Sequence, residues 1–312
     1  MLIDLSLVVA GLVVLIFAGD ALVRGAVSLA LKLGIPALIV SLTVVALGTS
    51  APELLVAVQS AMEGAPGIAF GNVVGSNIAN VLLVLGLPAL ISGIDTRGSN
   101  TRSYLQMLIV SVAFVALCFV GQFGPLQGAL LLAALTWFLL DAIRFARKTT
   151  IEVGESSLEG GDPAMPGAKI AMFLIAGLIG LPVGAQLLIE GAVAIARDLS
   201  VSETVIGLTI VAVGTSLPEL ATSVTAAFKR QADVAIGNVI GSNIFNILAI
   251  MGVASFFGPL AVPEQLLRLD LWVMLAASLI LLPFVVRNWK ISRIWGIAFL
   301  AAYASYVVTL IL

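Results

Sequence analysis

Histidine is absent from this 312-residue chain. That removes His-ligated zinc, His-activated nucleophiles and His proton relays together. Cysteine is nearly absent: Cys118 stands alone in an apolar run, so there is no disulfide framework, and it reads as a small buried apolar side chain. Charge is scarce as well. Asp, Glu, Lys and Arg make up 10% of the residues, against roughly 25% in soluble domains, whose surfaces must face water. The 15 basic and 17 acidic residues nearly cancel, and no basic cluster with interleaved aromatics points to nucleic acid.

The chain is instead 61% hydrophobic, with a mean hydropathy of +1.18. A bilayer core takes about 20 apolar residues in a helix. Ten such runs are predicted: 4–24, 36–62, 68–93, 103–121, 123–143, 168–194, 202–228, 234–260, 269–286 and 293–312. No basic segment precedes the first run, so it reads as a transmembrane helix rather than a cleaved signal peptide. The runs are long and do not alternate, which favours helices over a barrel. Gly121–Pro125 is expected to form a tight hairpin between the fourth and fifth spans.

The stretch 149–167 is polar and acidic (Glu152, Glu155, Glu159, Asp162) and reads as a solvated linker between two halves. Of the 15 Lys and Arg, all fall on one side of the ten spans except Arg197 and Arg268. Positive charge marks the cytoplasmic side, so both termini are expected outside and the linker inside.

The halves repeat. Leu42–Leu54, with Gly48-Thr49-Ser50-Ala51-Pro52-Glu53, returns as Leu208–Leu220, with Gly214-Thr215-Ser216-Leu217-Pro218-Glu219. Gly71–Asn80 returns as Gly237–Asn246 at the same offset, 219 − 53 = 246 − 80 = 166. Without gaps, 42–82 and 208–248 agree at 22 of 41 positions. Five spans per repeat, an odd number, turn the second copy upside down. The expected fold is therefore an all-α integral membrane protein of ten transmembrane helices in two inverted five-helix repeats, 1–148 and 168–312. Inverted repeats place their site at the midplane, where broken helices meet.

Pro52 and Pro218 withhold an N–H from the preceding turn and free carbonyls there, which lipid cannot satisfy. Thr49, Ser50 and Glu53 share a helix face by i, i+4 and i, i+3 spacing, as do Thr215, Ser216 and Glu219. Asn72, Ser76 and Asn80, then Asn238, Ser242 and Asn246, run as i, i+4, i+8 stripes. Carboxylates, hydroxyls and amide oxygens are the donors that hard cations take. Elsewhere, Asp141 is expected to pair with Arg144 at the surface. Asp20 has no carboxylate counterpart, since 20 + 166 is Gln186, and Glu190 reads as an end-of-helix charge.

These two motifs resemble the alpha-repeats of the sodium/calcium exchanger family of cation/calcium antiporters. The resemblance implies a Ca²⁺ site of the Glu53 and Glu219 carboxylates with the carbonyls of Thr49 and Thr215. It further implies flanking Na⁺ sites, with Ala46, Thr49, Ser50 and Ser76 on the cytoplasmic side and Ala212, Thr215, Ser216 and Ser242 on the outer side. Asn80 and Asn246 would line the centre, and the glycine-rich spans one and six would slide to alternate access. Some relatives carry Asp where Asn246 stands, which argues against potassium coupling. The proton-coupled branch usually has Glu where Gly75 and Gly241 follow the Gly-Asn pair. The implied function is electrogenic Na⁺/Ca²⁺ antiport in the inner membrane, the alternative being a Ca²⁺/H⁺ or other divalent cation antiporter. The expected partners are the two ions and the bilayer, with no cofactor, no enzymatic activity and a monomeric working unit.

Overall fold

The computed structural model describes residues 2–96, 101–148, 162–199 and 212–311. In chain order the helices are α1 (Leu2–Leu33), α2 (Ala37–Thr49), α3 (Ala51–Met62), α4 (Pro66–Ser92), α5 (Thr101–Cys118) and α6 (Pro125–Lys148). The second half continues with α7 (Gly167–Asp198), α8 (Ala212–Thr215), α9 (Leu217–Phe228), α10 (Ala232–Ala254), α11 (Leu266–Val286) and α12 (Arg293–Ile311). Among the described residues, eight helices are long and apolar enough to cross a membrane, and α2 with α3, bent by 44°, makes a ninth. Of the span expected at 202–228, the residues before Ala212 lie outside the described ones, as does most of the linker.

The first span extends past its expected end at Arg24. Arg24 lies one turn beyond Asp20 and binds it at 2.7 Å, so these charges satisfy each other along the helix instead of ending it. The helix stops at Gly34, which takes φ +65°, while the N–H of Ile35 reaches back to the carbonyl of Ala30.

The hairpin after α5 holds a feature that the all-helical reading omits. Gln122–Phe123 (β1) pairs antiparallel with Leu260–Ala261 (β2), joining the end of the fourth span to the loop before α11. Phe123 is carried inward onto Phe70 and Phe114, at 5.3 and 5.7 Å between ring centroids. Two residues per strand are too few to leave a period-two signal in sequence.

α1 and α7 lie antiparallel along their length: Asp4 is beside Gly191, Leu15 beside Gly184 and Leu22 beside Gly177. A Cβ on Gly177 would stand 2.5 Å from that of Leu22, so only glycine admits this approach. α10 is buried over nearly all its length, whereas α1, α7 and α12 are mostly exposed and apolar, as helices that meet lipid must be. One large core joins α4, α5, α10 and α11 through residues such as Phe70, Tyr104, Ile240 and Met274.

Candidate ion-binding site

The two proline motifs fold alike. Ser50 (φ −83°, ψ 8°) and Ser216 (φ −87°, ψ 5°) both leave the helical region, and a new helix begins at the next residue with proline in its first turn. Proline disfavours helical geometry just before it and is at ease in a first turn, so the break falls there. Each break puts a glutamate, Glu53 or Glu219, in the first turn of α3 or α9, where the exposed N–H groups favour negative charge. Both glutamates are 1% exposed.

Asparagines hold these turns. Asn72 donates to the carbonyl of Glu53 at 3.1 Å, and Asn238 to that of Glu219 at 3.5 Å. The halves also bond to each other: the Ser50 hydroxyl donates to Glu219 Oε1, and the Thr49 hydroxyl to Asn238 Oδ1, both at 3.4 Å. In α4 and α10 the helix widens to i→i+5 turns that start at Asn80 and Asn246, and such turns recur where membrane helices are built around function.

Of the twelve site residues read from sequence, Glu53, Glu219, Thr49, Ser50, Ser216, Ser76, Ser242, Asn80, Asn246 and Ala46 are all buried. The Ala46 carbonyl is taken by the Ser50 N–H at 3.1 Å. Thr215 is half-buried and lines a cavity of about 440 Å³ with Ser76, Asn72, Asp270 and Tyr306. The side chain of Ala212 lies outside the described residues.

Six buried oxygens among the described residues have no hydrogen-bond partner: Glu53 Oε2, Glu219 Oε2, Asn80 Oδ1, Asn246 Oδ1, Ser216 Oγ and Ser242 Oγ. A buried polar atom left unpaired costs about 1–3 kcal/mol, and a carboxylate at membrane depth about 2.5–3.5 kcal/mol. All six belong to side chains singled out above. They are all oxygens, the donors that a hard cation takes.

Two neighbours were missed. Asn77 and Asn243, 1% and 0% exposed, bond across the halves to Asn246 and Asn80. Both sit inside the repeated Gly-Ser-Asn triplet, one residue off the i, i+4 stripes but i, i+3 from Asn80 and Asn246, a spacing that could have pointed to them. The weaker acids behave as structure rather than ligands. Asp141 is bound by Arg102 and by Gln106 (2.7 Å), a correction to the expected Arg144 pair, because these two side chains of α5 reach that face of α6. Asp20 joins Arg24 and Lys229, and Glu190 accepts from Gln186 on its own helix.

The family model for sodium/calcium exchanger protein matches residues 3–143 and 169–312. CaxA of Alkalimonas amylolytica is 38% identical, over 98% of each chain. The sodium/calcium exchanger MaX1 of Methanosarcina acetivorans is 35% identical over 96% of each. Among solved structures, the sodium-calcium exchanger NCX_Mj, soaked with Na⁺ and Sr²⁺, superposes with a TM-score of 0.84 at 34% identity, covering 98% of both chains.

Proposed function

The chain belongs to the sodium/calcium exchanger family, a family of membrane transporters rather than enzymes, and from that premise we propose that it exchanges Na⁺ for Ca²⁺ by alternating access. The observation that carries this reading is the set of six unpartnered buried oxygens, which includes one carboxylate oxygen each of Glu53 and Glu219. One Ca²⁺ discharges both carboxylates. Several Na⁺ shared among the carboxylates, hydroxyls and amide oxygens do the same, whereas protons would leave Ser216, Ser242 and both asparagine oxygens unused.

The proposed ligands are those of the sequence reading. Glu53, Glu219, Thr49 and Thr215 hold Ca²⁺, with Ala46, Ser50 and Ser76 on one side, Ala212, Ser216 and Ser242 on the other, and Asn80 and Asn246 between. The proposed frame is ten spans in two inverted repeats, with both termini outside the inner membrane, a cytoplasmic linker at 149–167 and a monomeric working unit. Three facts support the inversion. α1 and α7 correspond at the 166 offset and lie antiparallel, the breaks at Ser50 and Ser216 share one geometry, and the asparagine contacts between α4 and α10 are reciprocal.

The test is radiolabelled Ca²⁺ flux in proteoliposomes with an imposed Na⁺ gradient as the sole driving force. Uptake that follows the Na⁺ gradient is expected; Ca²⁺ movement driven by a pH gradient without Na⁺ would assign the protein to proton exchange. At three Na⁺ per Ca²⁺ one net charge crosses per cycle, worth about 2.3 kcal/mol per 100 mV. An inside-negative potential is therefore expected to speed Na⁺-driven Ca²⁺ extrusion from right-side-out vesicles. Indifference to voltage would mean two Na⁺ per Ca²⁺.

A further inference from the structure

An asparagine is a cation ligand only with its oxygen forward. Turned by 180° it presents an NH₂ group to the ion, so a buried Asn ligand needs something to decide its direction. At Asn80 and Asn246 that decision is made by two other asparagines.

Consider Asn77 first. Its Nδ2 points at the backbone carbonyl of Asn243 at 3.4 Å and at the sulfur of Met274 at 3.7 Å. A carbonyl and a thioether only accept, so this end of the amide must be nitrogen. Its Oδ1 then faces Asn246 Nδ2 at 3.0 Å, and that bond turns Asn246 Oδ1 the other way, where it has no partner. The mirror chain runs from Asn243. Its Nδ2 meets the carbonyl of Asn77 at 3.4 Å and the sulfur of Met107 at 3.7 Å. Its Oδ1 accepts from Asn80 Nδ2 at 3.1 Å, which leaves Asn80 Oδ1 unpartnered. Both chains start at a backbone carbonyl, which cannot flip. Each starts in one half, passes through an asparagine of the other and ends on an unpartnered oxygen of the first, so the direction of each central oxygen is set by the helix that carries the other.

We propose that Asn77 and Asn243 are positioning residues, which fix the Asn246 and Asn80 oxygens toward the transported cation through bonds between the two halves. The proposal rests on the ion-site reading above. Partners that orient metal ligands ordinarily change metal affinity by about 10–100-fold when removed.

The test uses the full-length chain purified in detergent, with apparent Ca²⁺ affinity read from the Ca²⁺ dependence of its thermal midpoint. Asn243→Leu removes the accepting oxygen and frees the Asn80 amide to turn; a loss of Ca²⁺ affinity of at least about tenfold is expected. In an Asn80→Ala background the same change is expected to cost under about threefold more, because its effect runs through the Asn80 amide. Asn80→Asp, which offers oxygen in either orientation, is expected to restore the affinity lost in Asn243→Leu. Losses that multiply in the double variant, or no rescue by Asn80→Asp, would show Asn243 acting through packing and overturn the proposal. Should Asn243→Leu fail to fold, Asn77→Leu breaks the mirror chain and is expected to cost at least about tenfold in Ca²⁺ affinity, but under about threefold more in an Asn246→Ala background. A loss of equal size in both backgrounds overturns the proposal equally. A wild-type protein stabilised by neither Ca²⁺ nor Na⁺ would overturn the ion-site reading itself, an outcome that this control tells apart.

Discussion

At the scale of single residues, the proposed site is a set of buried oxygens that want partners. Glu53 and Glu219 each keep one carboxylate oxygen without a hydrogen bond, and among the described residues no ion pair is formed with either. A residue so placed is a burden on the fold unless a cation arrives. Glu53→Gln and Glu219→Gln are each expected to cut Ca²⁺ transport by about 100-fold or more, given that mere orienting partners give 10–100-fold. Both are also expected to hold or raise the thermal midpoint measured in chelator, since each removes a buried charge. Wild-type flux, or a protein that collapses in chelator, would sink the assignment. The glutamates were legible in sequence because a carboxylate in an apolar run is rare and each follows a proline. The role of Asn77 and Asn243 was not, since nothing in helical spacing says which side of α4 the other half will occupy.

At the scale of helices, glycine and proline divide the work. Proline sets where α2 gives way to α3, and its N–H deficit is written in the sequence itself. Glycine sets how near α1 and α7 come, and that depends on the partner. Gly177→Val would drive carbon into the backbone of Leu22, 2.8 Å from its Cα, where nothing can give way. Overpacking of this kind costs about 1–3 kcal/mol, so a thermal midpoint lower by several degrees is expected. Gly124→Ala, whose nearest neighbour would be 3.9 Å away, is expected to leave the midpoint unchanged. Equal tolerance of both changes would mean that α1 and α7 are not in close contact. Ten apolar runs could be counted from sequence; the extra turns of α1 and the strand pair at Phe123 could not, because a satisfied ion pair and a two-residue ribbon leave no periodic trace.

At the scale of the whole molecule, the two halves are not equal. Asp20 on α1 binds Lys229 at 2.5 Å just beyond the end of α9. The positions one repeat away are Gln186 and Glu63, which bond along their own helices to Glu190 and Gln59. The ion pair therefore ties α1 to α9 at one end of the bundle only. A partly exposed pair contributes at most about 1 kcal/mol, which shifts a two-state balance about fivefold. Asp20→Asn is expected to raise, by up to about that factor, the rate at which a cysteine at Thr225, beside Gly19, is modified from the Lys229 end. An unchanged rate would deny the pair any part in holding that end shut. The proposed sidedness is tested separately, with Cys118 replaced by Ser. A cysteine at the exposed Lys290 is expected to react only with reagents added to the cytoplasm, and one at the exposed Glu264 only from outside. The reverse pattern would overturn the orientation read from charge.

Composition, the 166-residue offset and the two proline motifs already carried the membrane, the repeat and the two glutamates, because each follows from what lipid does to any chain. Lipid offers no hydrogen bonds, so a proline and a carboxylate in an apolar helix must be answered wherever that helix lies. The direction of an amide, the partner of Asp141 and the tie between Asp20 and Lys229 depend instead on which helix stands opposite. Those were decided by packing between helices, within the first half for Arg102 and Asp141 and across the halves for Asn77 and Asn246 or Asp20 and Lys229, and no local pattern records that choice.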